Sequence, residues 1–336
     1  MRARWLTRFG RTAGAAAVTA GLLATAACGG GSDKDTDDTG SSSAASDSAF
    51  PRTVEHAMGE AEIKERPQRV VALDMTFVDA TLALETPVVG YTTFASPDEE
   101  LPAYFGEDAE EYGKEATPVG MLAEPDLEKI TALEPDLILS AKVRHEKLYD
   151  QLSAIAPTLF TEDTGATWKE NLGLVGEALG QEELAEEKVG AFEERAQAIG
   201  DAVREKDGGN PEVSVVRFVD GPTRLYKEDT YIGVLVNDLG FDKPADAQGT
   251  GFNADVSEEQ IKKVDADDIF VTAYPDPQGA SEKSRDKYTS NPLWKQLKGE
   301  VHEVDDITWM IAVGLYGAHE VLDDVADTYG VDAARS

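Results

Sequence analysis

The sequence predicts an α/β protein of two lobes joined by one long helix, and two observations carry that prediction. Short β-branched runs alternate with helical stretches, and the alternation occurs twice, before and after a Gly-Gly-Asn-Pro break at 208–211. Between the two sets, residues 182–206 read as a single helix that no proline interrupts.

In chain order, the runs 69–73, 87–90 and 136–140 come first. Each is apolar and bounded by Pro, Gly or Asp, as buried parallel strands are. Over 127–133, Leu127, Ile130 and Leu133 share one helical side. The stretch 182–206 then places Leu184, Val189, Phe192, Ala196, Ile199 and Val203 three to five residues apart, although Gly190 and Gly200 lower its helix propensity. Twenty-five helical residues span roughly 37 Å, enough for a stiff strut between lobes. The second set holds strands at 212–218, 269–272 and 301–304 and a helix at 232–239. The expected division is a first α/β lobe at 50–181, the connecting helix at 182–206 and a second α/β lobe at 207–336.

The first residues address the protein to a membrane surface. Arg2, Arg4, Arg8 and Arg11 form a basic leader, followed by an Ala-rich apolar run over 12–27 that is too short to span a bilayer. The run ends in Thr-Ala-Ala-Cys-Gly at 25–29, which resembles a bacterial lipobox, so that 1–27 reads as a lipoprotein signal peptide and Cys28 as the lipidated new N-terminus. Cys28 is the only cysteine, which leaves the folded part with no disulfide, thiolate metal site or Cys nucleophile. Residues 28–49, rich in Gly, Ser, Asp and Thr, form a disordered tether with an r.m.s. span of roughly 26 Å.

The leader holds four of the 31 basic residues and none of the 65 acids, so the processed chain stands at −38. That balance excludes nucleic acid as a partner, because phosphate contacts need clustered Lys and Arg. No Gly-x-Ser-x-Gly elbow or Walker loop is present, and His56, His145, His302 and His319 are scattered, so no enzyme class is indicated.

Several motifs in order carry a family resemblance: Val54 to Gly59 leading to Arg66 to Val71, Glu124 to Ile130 leading to Pro135 to Ile138, Arg144 to Glu146 leading to Ile155 to Thr158, Val213 to Phe218, and Asp267 to Val271. Together they resemble a helical-linker (class III) substrate-binding lipoprotein of an ABC importer for ferric siderophores, in the ferric-citrate and hydroxamate branch. The resemblance covers nearly the whole processed chain and implies two Rossmann-like lobes. It implies a monomer, tethered through Cys28, that takes a ferric siderophore into the interlobe cleft and passes it to an ABC permease dimer.

Such a ligand already wraps its iron in oxygen donors, so neither a cofactor nor a protein-held metal is expected. The protein must supply cations for the ligand oxygens and aromatic walls for the organic shell. Arg144 follows the 136–140 strand and Arg217 ends the 212–218 strand, at the carboxyl edges where open α/β sheets bind ligands. Together they favour an anionic ligand, such as ferric citrate or a citrate-hydroxamate, although a neutral trihydroxamate also accepts guanidinium hydrogen bonds; a surface or ion-paired arginine is the alternative for each. Trp309 resembles the family's cleft tryptophan, with a core position as the alternative. Tyr274 follows the 269–272 strand in the same manner, and Phe94, Tyr226 and Met121 complete the expected ligand contacts. By resemblance, Glu128 on the first lobe and Glu259 on the second engage the permease, and Glu258 is not separable from Glu259 at this level. The alternatives are a cobalamin or haem carrier of the same fold, a carrier of free zinc or manganese, and a surface-tethered hydrolase.

Overall fold

The computed structural model describes residues 49–94 and 96–335 and arranges them as two open sheets joined by one helix. The signal peptide, Cys28 and nearly all of the 28–49 tether lie outside the described residues.

The first lobe opens with an antiparallel hairpin, β1 (Arg52–His56) and β2 (Gly59–Ile63). It continues through β3 (Val70–Ala72), α1 (Met75–Ala83), β4 (Val88–Thr93), α2 (Gly106–Glu111), β5 (Thr117–Met121), β6 (Glu124–Pro125) and α3 (Leu127–Ala132). Then come β7 (Leu137–Ala141), α4 (Lys142–His145), α5 (Tyr149–Ser153), β8 (Thr158–Thr161) and α6 (Trp168–Leu179). The sheet order is β6-β5-β4-β3-β7-β8, parallel except for β6 at the edge. Strand order therefore reverses at β3, and ligands bind outside the carboxyl ends of strands at such a switch point. β4, β7 and β8 are buried along their whole length, as their apolar runs require.

The predicted strut is α7 (Glu182–Asp207). Its N-terminal half packs Leu184, Ala185 and Val189 on the first lobe's core, while Phe192, Ala196, Ile199 and Val203 enter the second lobe's core. One amphipathic helix thus closes two cores, and Gly180, left-handed at φ 64°, separates it from α6.

The second lobe holds β9 (Val213–Phe218), β10 (Thr223–Tyr226), α8 (Tyr231–Asp238), β11 (Asn253–Val256), β12 (Asp268–Ala273), α9 (Ala280–Thr289), β13 (Glu300–Glu303) and α10 (Leu315–Tyr329). Its sheet order is β11-β10-β9-β12-β13, with β9, β12 and β13 parallel and β10 and β11 antiparallel. The β10–β11 pair was not foreseen: these strands are short, half-polar and lie at the sheet edge, where alternation is faint.

Candidate functional site

The carboxyl ends of both sheets face one cleft of about 620 Å³, lined by residues of both lobes. From the first lobe come Asp74 after β3, Phe94 after β4, Arg144 after β7 and residues 163–167 after β8. From the second come Arg217 on β9, Tyr226 on β10, Tyr274 after β12 and the π-helical turn Ile307–Ile311 after β13.

Each cleft arginine is paired with a buried aspartate. Asp74 caps α1 by accepting the Thr76 N–H at 3.1 Å, and it also accepts Arg144 Nε at 2.8 Å. Arg144 Nη2 donates to Thr164 Oγ1 at 3.2 Å. In the second lobe Arg217 forms a fork with Asp306, Nε to Oδ1 at 2.8 Å and Nη2 to Oδ2 at 2.6 Å. Burial opposes the Arg217 charge, but the Asp306 hydrogen bonds and carboxylate outweigh it and raise the pKa of the guanidinium. Among the described residues Arg217 Nη1 has only the Tyr226 hydroxyl, at 3.4 Å, and the guanidinium lies 5.3 Å from the Tyr274 ring centroid.

The walls are aromatic and apolar. Phe94 meets Tyr274 edge-on across the cleft, with centroids 6.4 Å apart, and Tyr226 meets Phe252 at 5.2 Å. Among the described residues the exposed large apolar side chains are Phe94, Val143, Phe252, Val301 and Ile307, and all but Val301 line this cleft. Apolar exposure concentrated in one concavity marks a binding surface.

Of the expected contacts, Arg144, Arg217, Tyr274, Phe94 and Tyr226 are brought together here. Trp309 lines the cleft and also takes the core position that was its alternative. It borders the cleft floor but is only 1 % exposed, stacks on Phe270 at 4.7 Å and donates Nε1–H to Asp324 on α10 at 2.8 Å. The π-helical turn swings its ring into the core and leaves Ile307 outward. Met121 is corrected: its sulfur sits 3.2 Å from Thr93 Oγ1, and the neighbouring Leu122 lines the cleft instead.

His145 explains how Arg144 is aimed. It is buried, Nε2 donates to the Leu122 carbonyl at 2.6 Å, and Nδ1 then accepts the Ser140 hydroxyl at 2.7 Å. Burial lowers its pKa, so the neutral ring staples the turn after β7 to the loop after β5. Phe252, Asp74 and Asp306 were missed. The aspartates carry no distinguishing signal among 65 acids.

Elsewhere, Asp268, Glu300 and His302 bring their polar atoms within 4.8 Å of one another. Asp268 already accepts His302 Nε2 at 2.7 Å and the Tyr329 hydroxyl at 2.6 Å. It opens β12, at the opposite end of that strand from Tyr274, so this cluster is no part of the cleft.

Glu128 and Glu259 occupy corresponding places. Glu128 is exposed in the first turn of α3, three residues beyond edge strand β6, and Glu259 is exposed three residues beyond edge strand β11. Glu258 is half-buried and paired with Lys287 at 2.5 Å.

Comparison with known proteins agrees with this architecture. Residues 70–299 match the family model described as periplasmic binding protein. A probable siderophore-binding lipoprotein of Bacillus subtilis, YfiY, is 38 % identical over 296 residues, which cover 84 % of this chain and 88 % of the relative. The Fe(3+)-citrate-binding protein YfmC of the same organism is 30 % identical over 289 residues, covering 83 % and 86 %. Among solved structures, Staphylococcus aureus SirA complexed with staphyloferrin B superposes with a TM-score of 0.75 at 32 % identity, covering 84 % of this chain and 99 % of that one. With two sheet-bearing lobes, a single helical connector and a cleft at the strand ends, the chain belongs to the periplasmic binding protein family, in its helical-linker (class III) form.

Proposed function

We propose that this protein captures a ferric siderophore between its lobes and delivers it to an ABC importer for iron uptake, held at the extracytoplasmic face of the membrane through lipidated Cys28. The observation that carries the reading is the cleft itself, where two guanidinium groups sit among the exposed aromatic and apolar side chains of both lobes. The relatives named for siderophore and ferric citrate binding support it. No bond is made or broken; the iron stays in the donor set of the siderophore. Among the described residues the cleft lining includes neither histidine nor cysteine, which argues against direct capture of free zinc. Glu128 and Glu259 are proposed to dock the permease dimer, and the ion pair of Glu258 supports Glu259 over its neighbour.

The test is a calorimetric titration with ferric citrate, a ferric citrate-hydroxamate, a ferric trihydroxamate and a ferric catecholate, with iron-free forms, cobalamin, haem and zinc as controls. Submicromolar binding of a ferric class with much weaker binding of its iron-free form supports the proposal. Binding of cobalamin or haem alone overturns it.

A further inference from the structure

We infer that the cleft selects neutral or cationic ferric complexes and disfavours anionic ones. The inference rests on the siderophore reading above and adds the charge class of the ligand. Arginines in a binding cleft ordinarily signal an anion, but here neither is free. Arg144 is committed to Asp74, and Arg217 is held by both oxygens of Asp306. Three further carboxylates, Glu99, Asp163 and Asp229, line the cleft, the two aspartates exposed, while among the described residues no lysine lines it. The two guanidinium groups therefore stand against five carboxylates, Asp74, Glu99, Asp163, Asp229 and Asp306.

What the arginines still offer is hydrogen bonding rather than net charge. Among the described residues Arg144 Nη1 makes no hydrogen bond, and Arg217 Nη1 has only its long contact to Tyr226. Iron-bound hydroxamate oxygens can accept from these N–H groups without adding net negative charge to the complex. The alkyl chains of such a ligand suit the walls formed by Phe94, Tyr274, Phe252 and Ile307. A ferric complex with surplus carboxylates must instead displace an aspartate from its arginine or sit beside Asp163 and Asp229. The formal charge of −34 on the whole chain adds long-range repulsion.

The experiment holds the ferric core constant and varies only charge. A linear ferric trihydroxamate with one pendant amine is used as the free amine, its N-acetyl form and its N-succinyl form, which carry net charges of about +1, 0 and −1 near neutral pH. The purified full chain is titrated with each, and with ferric citrate, at low and at physiological salt. The dissociation constant is expected to rise stepwise from cation to anion, by on the order of tenfold across the series at low salt. Salt should narrow the gap, and ferric citrate should bind more weakly than any of the three. Asp163→Asn with Asp229→Asn should also narrow it. Tight binding with a flat or reversed order overturns the charge assignment and leaves the siderophore reading standing. A gap unmoved by the double substitution overturns the role given to these two aspartates. Failure of every ferric complex, with cobalamin or haem bound instead, overturns both readings.

Discussion

Arg217 is expected to hold the second lobe together as much as it serves the ligand, and Arg217→Ala measures how much. Its side chain is 12 % exposed and that of Asp306 4 %, so the pair is largely shielded from solvent. Without the guanidinium, Asp306 keeps only the Thr272 hydroxyl among the described residues, at 3.0 Å, and the carboxylate stays buried beneath the cleft. Removing one partner of a buried pair costs about 3–5 kcal/mol, because the other charge is left uncompensated. Loss of the contact with the Tyr274 ring adds about 0.5–1 kcal/mol. Arg217→Ala should therefore lower the unfolding free energy by about 3.5–6 kcal/mol in urea titrations followed by circular dichroism. The cycle is completed by Asp306→Ala and the double variant, which should recover most of the loss because it buries no unpaired charge. An Arg217→Ala protein within about 1 kcal/mol of the parent, or a double variant no better than the single, refutes the reasoning. Ligand affinity in these variants has meaning only where each is shown to be folded.

Three more outcomes follow from separate features. His319 accepts a hydrogen bond from Arg195 at 2.9 Å, and burial, followed by the Arg195 charge, lowers its pKa to about 4. The unfolded ring takes its proton near pH 6.5 and the folded ring only near 4, so its stabilising contribution is lost as pH falls between them, by roughly 3 kcal/mol. Parent minus His319→Leu isolates this slope from that of Asp79, whose pKa burial raises to about 7 and whose stabilising contribution is lost as pH rises through that range. A pH-independent difference would contradict it. Asp79 accepts the Leu315 and Tyr316 N–H groups at 2.6 and 3.1 Å, and Asp79→Ala should cost about 2–3 kcal/mol and speed hydrogen exchange at both amides. Unchanged exchange there would dismiss the capping role. Finally, a Cβ on Gly200 would meet the Leu239 carbonyl oxygen at 2.0 Å, whereas one on Gly190 meets nothing within 4 Å. Thermal melts should show Gly200→Ala losing about 1–3 kcal/mol and Gly190→Ala gaining about 0.5–1 kcal/mol, and equal effects would count against the close approach.

The strut was legible because its evidence is periodic: apolar residues recur at helical spacing, no proline intervenes, and the helix found at Glu182–Asp207 matches the predicted 182–206 almost to the residue. The central strands were legible as unbroken apolar runs, and β12 is buried from Asp268 through Thr272. The places of Arg144 and Arg217 at the cleft were legible because each follows or ends a buried apolar strand. Their aspartate partners were not, since a carboxylate 70 or 89 residues away is joined to its arginine only by the fold. Trp309 was half legible: its position after a strand brings it to the cleft, but the π-helical turn buries the ring.

The links between the lobes say how far the cleft can open. Behind it, α7 runs through both cores and Asp79 on α1 caps the N-terminus of α10. Beside that cap, the Tyr316 hydroxyl donates to Asp108, and the Tyr316 ring packs edge-on against Phe105 at 5.3 Å. Lys169 on α6 pairs with Asp238 on α8 at 2.9 Å. Across the front, the ring contact is that of Phe94 with Tyr274, and Phe94 is 44 % exposed. An aromatic pair contributes about 0.5–1.5 kcal/mol, less than the cost of stripping Asp79 from two buried amide donors. An opening that parts the Phe94–Tyr274 contact and keeps the α1–α10 junction would leave the lobes joined. The Arg144–Asp74 and Arg217–Asp306 pairs each lie within a single lobe, so that such a motion would not part them. The ligand thus meets charges and donors already set, and discrimination falls to its own charge and shape rather than to rearrangement of the site.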